Sequence, residues 1–379
     1  MQGWLRPLVR VAVVLLAILG AYALVRVKRA ELVDFVVPRT AAARYLAHEP
    51  LYRPEDGHYQ YKYFPVFAPL MAPFALLPKE VAELAWFTLL AGMAWAFLRT
   101  SIVALPARRQ SIQLLGWTTF FLTGKFLVKE LAFGQFNLPM ALLMLGAVLA
   151  AQKGRGVAAG VCLAVGACVK PYTLVLLPWL TVTQGWRAVV ACLAVLSAGL
   201  LLPVTSYGWN GNLMLLSEWY RTVVQTTGPN LLSADNMSFA SMWAKWLHPS
   251  DLASTFALIS AIVAVAFGFV AMARRRLVSE PNYLEGAYFL VLVPLLSPQG
   301  WDYVLLLAAP AYVLVVDRWK DLPPGWRVAA ATAFFLTSFT IFDLLGRTLY
   351  LGLMELAAVS AGAVLLAACV FRLRWQASA

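Results

Sequence analysis

The chain has 379 residues, 61% of them hydrophobic and only 13% charged, with a mean hydropathy of +0.74 and a formal net charge of +12. A soluble domain carries about 25% charged residues and cannot bury so much apolar surface, so a soluble enzyme, a secreted disulfide scaffold and a disordered chain are all excluded. Apolar blocks of roughly 15 to 22 residues match the length a bilayer core demands of a helix; the chain is an all-α polytopic membrane protein.

In chain order, Arg6 and Arg10 precede an apolar stretch from Val11 to Val25, closed by Arg26, Lys28 and Arg29. With many spans following, it is predicted as an uncleaved first span rather than a signal peptide. Spans are predicted near 8–27, 81–104, 112–128, 136–151, 157–170, 172–184, 187–206, 253–273, 284–297, 302–317, 327–345 and 350–371, about 12 transmembrane helices in one integral-membrane domain over 1–379. The block 64–77 contains Pro65, Pro69 and Pro73 and is predicted to re-enter or lie at the interface rather than cross.

The basic residues stand in clusters beside the apolar blocks, as in Arg108-Arg109, Lys153 with Arg155, Arg274-Arg275-Arg276, and Arg318 with Lys320 and Arg327. That is the signature of cytoplasmic loops rather than of nucleic-acid binding. With Arg274–Arg276 inside, the loops 28–63 and 207–251 both fall on the external face. Arg26, Lys28 and Arg29 run against this assignment. Cys162, Cys168, Cys192 and Cys369 lie in apolar runs without CxxC spacing and are predicted to be small packing residues.

Several polar groups stand out in so apolar a chain. Asp34 follows the first span; it pairs with Lys28 or Arg39, caps the segment Thr40–Leu46, or serves as a general base at the bilayer surface. Tyr52, Tyr61 and Tyr63 form an interfacial belt or line a groove for a sugar or lipid phosphate, with Lys62 supplying charge. Gln135 and Asn137 are paired amides suited to helix contacts or to sugar hydroxyls. Lys170-Pro171 breaks a long apolar run, and a lysine there snorkels or meets an anion. In the second loop, Arg221 follows Glu218-Trp219-Tyr220, and Asn236 begins a formal glycosylation sequon whose amide also suits loop contacts or a substrate. Trp301 and Asp302 sit in a tight external connection, where Asp302 is predicted first as a helix cap. No Gly-rich phosphate loop, DxD pair or zinc-type histidine pattern is present in the sequence.

These motifs, in this order, resemble glycosyltransferase family 87, polyprenol-phosphate-mannose-dependent mannosyltransferases of the GT-C fold. The likeness rests on Asp34-Phe35, Leu51-Tyr52, Tyr61-Lys62-Tyr63-Phe64-Pro65, Gly134-Gln135-Phe136-Asn137, Gly160 leading to Lys170, Asn236-Met237-Ser238, and Ser297-Pro298 with Trp301. Two departures are visible: Phe64 stands where the family usually has a first proline, and Asp302-Tyr303 follow Trp301 where histidines are frequent.

The resemblance implies transfer of a hexose, mannose first, from a polyprenyl-phosphate donor to a lipid or glycan acceptor, with inversion. Asp34 would be the general base. Lys170, Lys62, Arg221, Tyr61 and Tyr63 would hold the donor phosphate or lipid. Gln135, Asn137, Asn236, Trp301 and Asp302 would contact sugar or acceptor. The lipid-linked sugar is a substrate, so no cofactor and no metal ligand is assigned. It further implies a bacterial-type plasma membrane location with the site on the periplasmic side. Competing readings are a lipid-linked-oligosaccharide flippase, a non-catalytic scaffold, and an arabinosyl- or glucosyltransferase of the same fold. A transferase site requires Asp34, Lys170 and Gln135 to converge on one cavity.

Overall fold

The computed structural model of the protein describes residues 32–377; the predicted first span near 8–27 and Lys28 lie outside the described residues. Among the described residues the secondary structure is helical, apart from one isolated bridge between Asn236 and Trp301. The longer helices are α1 (Val33–Leu46), α2 (Lys79–Val103), α3 (Ile112–Phe133), α4 (Asn137–Gln152), α5 (Gly156–Val169), α6 (Leu177–Gln184), α7 (Trp186–Leu201), α8 (Val204–Thr227), α9 (Phe239–Leu247), α10 (Asp251–Ala273), α11 (Pro281–Leu296), α12 (Ala309–Asp317), α13 (Pro324–Ser338), α14 (Phe342–Glu355) and α15 (Ala358–Gln376).

Among the described residues, three helices, α2, α10 and α15, are long and apolar enough to cross a membrane alone. The count reaches five if the bent pairs α7–α8 (92°) and α13–α14 (100°) each form one span. Most other predicted spans are helical but short. Helix α4 has 16 residues and α5 has 14, about 24 and 21 Å at 1.5 Å per residue, against a hydrocarbon core of about 30 Å. The block 172–184 is a 3-10 segment, Pro171–Leu176, leading into α6, and the block 302–317 is a 3-10 segment, Asp302–Ala308, leading into α12. Protein rather than lipid surrounds some of these short elements: nearly every side chain of α11 is buried, whereas α10 exposes Leu258, Ile262, Val263 and Phe267. Irregular backbone inside an apolar layer is tolerated where protein covers it.

Hydropathy also misplaces two boundaries. The block 327–345 is not one straight helix, because α13 stops at Ser338 and the chain turns into α14. The block 350–371 starts only at Ala358, after left-handed Ala357 (φ 53°). The two supposed loops are largely helical, holding α1 in the first and α8 and α9 in the second. The proline-rich block 64–77 forms two single turns, Phe67–Leu70 and Ala72–Ala75, and no crossing helix.

The basic connections gather at one end of the bundle. Arg109 bonds Asp321, Arg318 Nη2 donates to the Pro106 carbonyl (3.0 Å), and Gln184 Nε2 donates to the Ala151 carbonyl (2.9 Å). Nearby, buried Glu285 is held by Arg374 (2.9 Å) and Arg275 (3.5 Å) and accepts from Trp179 Nε1 (3.1 Å). Glu285 is thus a fixed brace between helices. Close packing elsewhere rests on small residues: a Cβ on Gly160 would lie 2.1 Å from the Ala188 carbonyl oxygen, so α5 and α7 approach at backbone distance. The four cysteines are free, three of them buried.

Candidate functional site

Helix α3 starts at the basic end and finishes at the other, where Gly134 takes the left-handed conformation (φ 69°). Glycine is needed there twice over. An L-residue disfavours that φ, and a Cβ would stand 2.9 Å from the Cβ atoms of both Leu32 and Phe35. The start of α1 therefore rests directly on the turn that carries Gln135. Trp86 of α2 fixes the turn by donating to the Gly134 carbonyl (3.0 Å). Its ring packs on Phe35 and Phe136, with centroids 5.6 and 4.5 Å apart, and Tyr63 and Phe67 close the cluster against Phe136. Each such aromatic pair adds about 0.5–1.5 kcal/mol beyond its buried area. These rings make a stiff floor.

Asp34 stands on that floor in the first turn of α1, which begins at Val33 rather than near Thr40. It does not cap Thr40–Leu46, and Arg39 is not its partner: Arg39 donates to the carbonyls of Phe74 (3.1 Å) and Leu77 (2.8 Å), fastening the 64–77 block to α1. The Asp34 carboxylate instead accepts from Gln135 Nε2 at 2.6 Å. Burial pushes its pKa above the ordinary carboxylate value, opposed by the Lys170 charge and the Gln135 hydrogen bond.

From Gln135 a polar chain continues inward. Lys170 Nζ meets Gln135 Oε1 (3.4 Å) and Asn137 Oδ1 (3.0 Å), and lies 5.5 Å from the Tyr63 ring centroid. Tyr172 donates to the same Asn137 oxygen (2.7 Å). Behind Asn137 stands fully buried Glu130. Its oxygens accept from the backbone nitrogens of Asn137 (2.6 Å) and Leu138 (2.8 Å) and from Asn137 Nδ2 (2.8 Å). Glu130 thereby satisfies the first donors of α4 and aims the Asn137 oxygen at Lys170. The lysine sits between two acidic side chains, separated from each by one amide, with no direct ion pair to either.

Asp34, Lys62, Tyr63, Gln135, Lys170 and Trp301 all line one cavity of about 470 Å³, with His58, Asp235, Gln299 and Tyr303 on its walls. Burial lowers the Lys62 ammonium pKa, and Asp34 opposes that shift. Asn137 stands one hydrogen bond behind this lining. Tyr61, Arg221, Asn236 and Asp302 are not part of it. Tyr61 is buried and donates to the Phe64 carbonyl (2.9 Å), and Phe64, in place of a proline, packs edge-on against Trp219 (4.9 Å). Arg221 is exposed on α8. The Asn236 amide is consumed in loop contacts, donating to the Asn230 (3.1 Å) and Pro298 (3.0 Å) carbonyls and accepting from Ser238 N (3.0 Å). Asp302 makes no side-chain cap; it is buried against Lys129 (2.8 Å) and Lys125 (3.8 Å).

Sequence reasoning passed over Glu130, Lys129 and the wall position of Asp235. Glu130 had a signal, since an acid beside a membrane block needs a reason to be there. Asp235 had none beyond its loop. Among the described residues, no group of three or more His, Cys, Asp or Glu side chains is placed to hold a metal ion.

The fold and site together define a helical membrane protein whose apolar helices carry a partly open cavity lined by charged, amide and aromatic side chains. Residues 61–298 match glycosyltransferase family 87, and the chain belongs to that family. It is a glycosyltransferase. No curated protein and no solved structure matches it. Asp34, Trp301 and Asp302 fall outside the matched segment, and the fold brings Asp34 and Trp301 to the same cavity as its Lys62, Gln135 and Lys170.

Proposed function

We propose that the protein moves a hexose, mannose first, from a polyprenyl-phosphate donor to a glycolipid or glycan acceptor, with inversion. The observation that supports this best is Asp34 and Lys170 bridged by the single amide of Gln135 on the wall of one cavity. The Asp34 carboxylate takes the proton of the acceptor hydroxyl as its oxygen bonds the anomeric carbon. The bond from that carbon to the phosphate oxygen breaks, and the electron pair leaves with the lipid phosphate. A phosphate is a weak base and needs no acid; it needs cations, which Lys170 and Lys62 supply. One displacement turns a β-linked donor into an α-linkage.

The reading carries a GT-C architecture of about 12 spans, several of them short or bent. The basic loops face the cytoplasm under the positive-inside rule, and the cavity opens on the external face of a bacterial-type plasma membrane.

The test is transfer of labelled sugar from synthetic polyprenyl-phosphate mannose, glucose and arabinose by purified protein, beside Asp34→Asn. A positioned base contributes about 10²–10⁴-fold, so the variant should lose at least a hundredfold in kcat. Full activity in Asp34→Asn removes the base assignment; lipid translocation without turnover on any of these donors removes the polyprenyl-phosphate donor reading.

A further inference from the structure

Besides Asp34 and the two lysines, the cavity has further polar lining with no part in the displacement. Asp235 reaches it from the loop between α8 and α9, with its side chain 37% exposed. Its Oδ2 accepts from Lys129 Nζ (3.1 Å) and its Oδ1 from the Tyr350 hydroxyl (3.2 Å). Lys129 is itself anchored to buried Asp302 (2.8 Å). A carboxylate has about four acceptor positions, so two remain beyond these contacts. Lys129 compensates the charge, and the partly exposed side chain lines the cavity.

The loop is held rigidly for so exposed a group. The Asp235 carbonyl accepts from Asp302 N (2.8 Å), Met237 N donates to the Gly300 carbonyl (2.7 Å), and the Asn236 amide staples both segments. Next to the carboxylate, Trp301 and Tyr303 present nearly parallel rings (9°, centroids 6.4 Å apart), and the Gln299 amide is fixed by Thr227 (2.9 Å). A fixed carboxylate and amide beside aromatic faces suit a hydroxyl-rich ligand with apolar C–H surfaces. They do not suit a phosphate, which Asp235 repels.

We propose that Asp235, with Gln299 and the Trp301–Tyr303 pair, forms the acceptor subsite, recognising the hydroxyls of a neutral sugar and presenting one of them to Asp34. This deepens the glycosyltransferase reading and rests on it, yet binding tests it separately from turnover.

The experiment uses the full-length protein in phospholipid nanodiscs, titrated with methyl α-mannoside and methyl α-glucoside by ligand-observed NMR. Wild type should bind at least one of the two. Asp235→Asn, which keeps the shape and loses the charge, should bind it about ten- to a hundredfold more weakly. Tyr350→Phe, which loosens the carboxylate from outside the cavity, should weaken it less, in the same direction. In the transfer assay the acceptor KM of Asp235→Asn should rise by at least the same tenfold while the donor KM stays put. No binding of either glycoside by wild type, or equal binding by folded Asp235→Asn, overturns the subsite. Stronger binding of glucosamine than of the neutral glycosides also overturns it, in favour of a cationic ligand. Glycoside binding that depends on Asp235, without transfer from any polyprenyl-phosphate donor, would sink the proposed donor reading and leave the sugar subsite standing.

Discussion

Gln135 Nε2 and Asp34 Oδ2 meet at 2.6 Å across 101 residues of sequence. The same Gln135 side chain also accepts from Lys170 and lies 3.1 Å from the Tyr303 hydroxyl, so both ends of its amide are occupied within the protein. That leaves little capacity for the sugar contact first expected of it. Its geometric role is to fix the orientation of the Asp34 carboxylate. Gln135→Ala should therefore lower kcat by about ten- to a hundredfold while changing the KM of either substrate little, since misplacing a reacting group by about 1 Å costs on that order. Steady-state kinetics on both substrates check this; a rise in KM at unchanged kcat would identify Gln135 as a substrate ligand instead.

The same contact sets a pH dependence. Burial raises the Asp34 pKa, and Lys170 and Gln135 pull it back. A base works only when deprotonated, so the acid limb of kcat/KM should lie above the ordinary carboxylate range. Activity should fall as the pH drops through that raised value. Replacing Gln135 by Leu removes one of the lowering influences and should move the limb further up. A limb at the ordinary carboxylate value, or one that Gln135→Leu leaves in place, would show that Asp34 is not the group being titrated.

Glycine 134 is where fold and site share one residue. Its left-handed φ and the 2.9 Å approach of Leu32 and Phe35 leave no place for a methyl group. Gly134→Ala should cost about 1–3 kcal/mol from the backbone conformation alone, with further strain from displacing α1. Thermal unfolding in nanodiscs should show a lowered midpoint, with a loss of activity larger than the loss of folded protein, because α1 carries Asp34. By comparison, Gly92 of α2, which has open space where its Cβ would stand, should accept alanine with little change.

Hydrophobic blocks revealed the helical membrane class and located about half of the longer helices to within a few residues, because apolar length is a one-dimensional property. They did not reveal direction. The 100° turn between Ser338 and Phe342 lies inside one apolar block, and nothing in its hydropathy marks it. The site was legible where a polar group interrupted an apolar run, as at Asp34, Gln135 and Lys170. It was illegible where a side chain's surroundings come from distant segments. Asn236 and Asp235 are adjacent in sequence, yet Asn236 is spent on stapling two loops while Asp235 faces the cavity. Only the pairing of 235–237 with 300–302 distinguishes them.

Away from the cavity, Arg44 and Asp56 form a two-armed ion pair between α1 and the first loop, with one arm at 2.8 Å. The Arg44 hydrogen bonds and charge hold the Asp56 pKa below its ordinary value against a smaller opposing effect of burial. A lowered folded-state pKa means that the stabilisation is fully present above the ordinary carboxylate value. It disappears as the pH falls through the depressed one. The pair is partly solvated, so its worth is at most about 1 kcal/mol. Asp56→Asn should thus unfold at a slightly lower temperature than wild type near neutral pH. The two should converge as the medium is acidified below the carboxylate range. A gap independent of pH would assign the effect to the loop's packing rather than to its charge.

Lys170 offers the sharpest separation of structural from chemical roles. Its ammonium is held by two amide oxygens and flanked by the Tyr63 and Tyr172 rings, 5.5 and 5.9 Å away. If it holds the donor phosphate, Lys170→Met should lower kcat/KM for the donor by about a hundredfold or more, the scale of losing a charged donor to developing anionic charge. Product inhibition by polyprenyl phosphate should weaken in parallel, while the KM of the acceptor stays near its wild-type value. Lys170→Arg restores the charge, but its planar fork does not reproduce a point donor between Asn137 Oδ1 and Gln135 Oε1. It should recover binding of polyprenyl phosphate more than it recovers turnover. A lysine that only braces the end of α5 would behave differently. Both variants would then lower the unfolding temperature, and neither would change product inhibition in the fraction that remains folded.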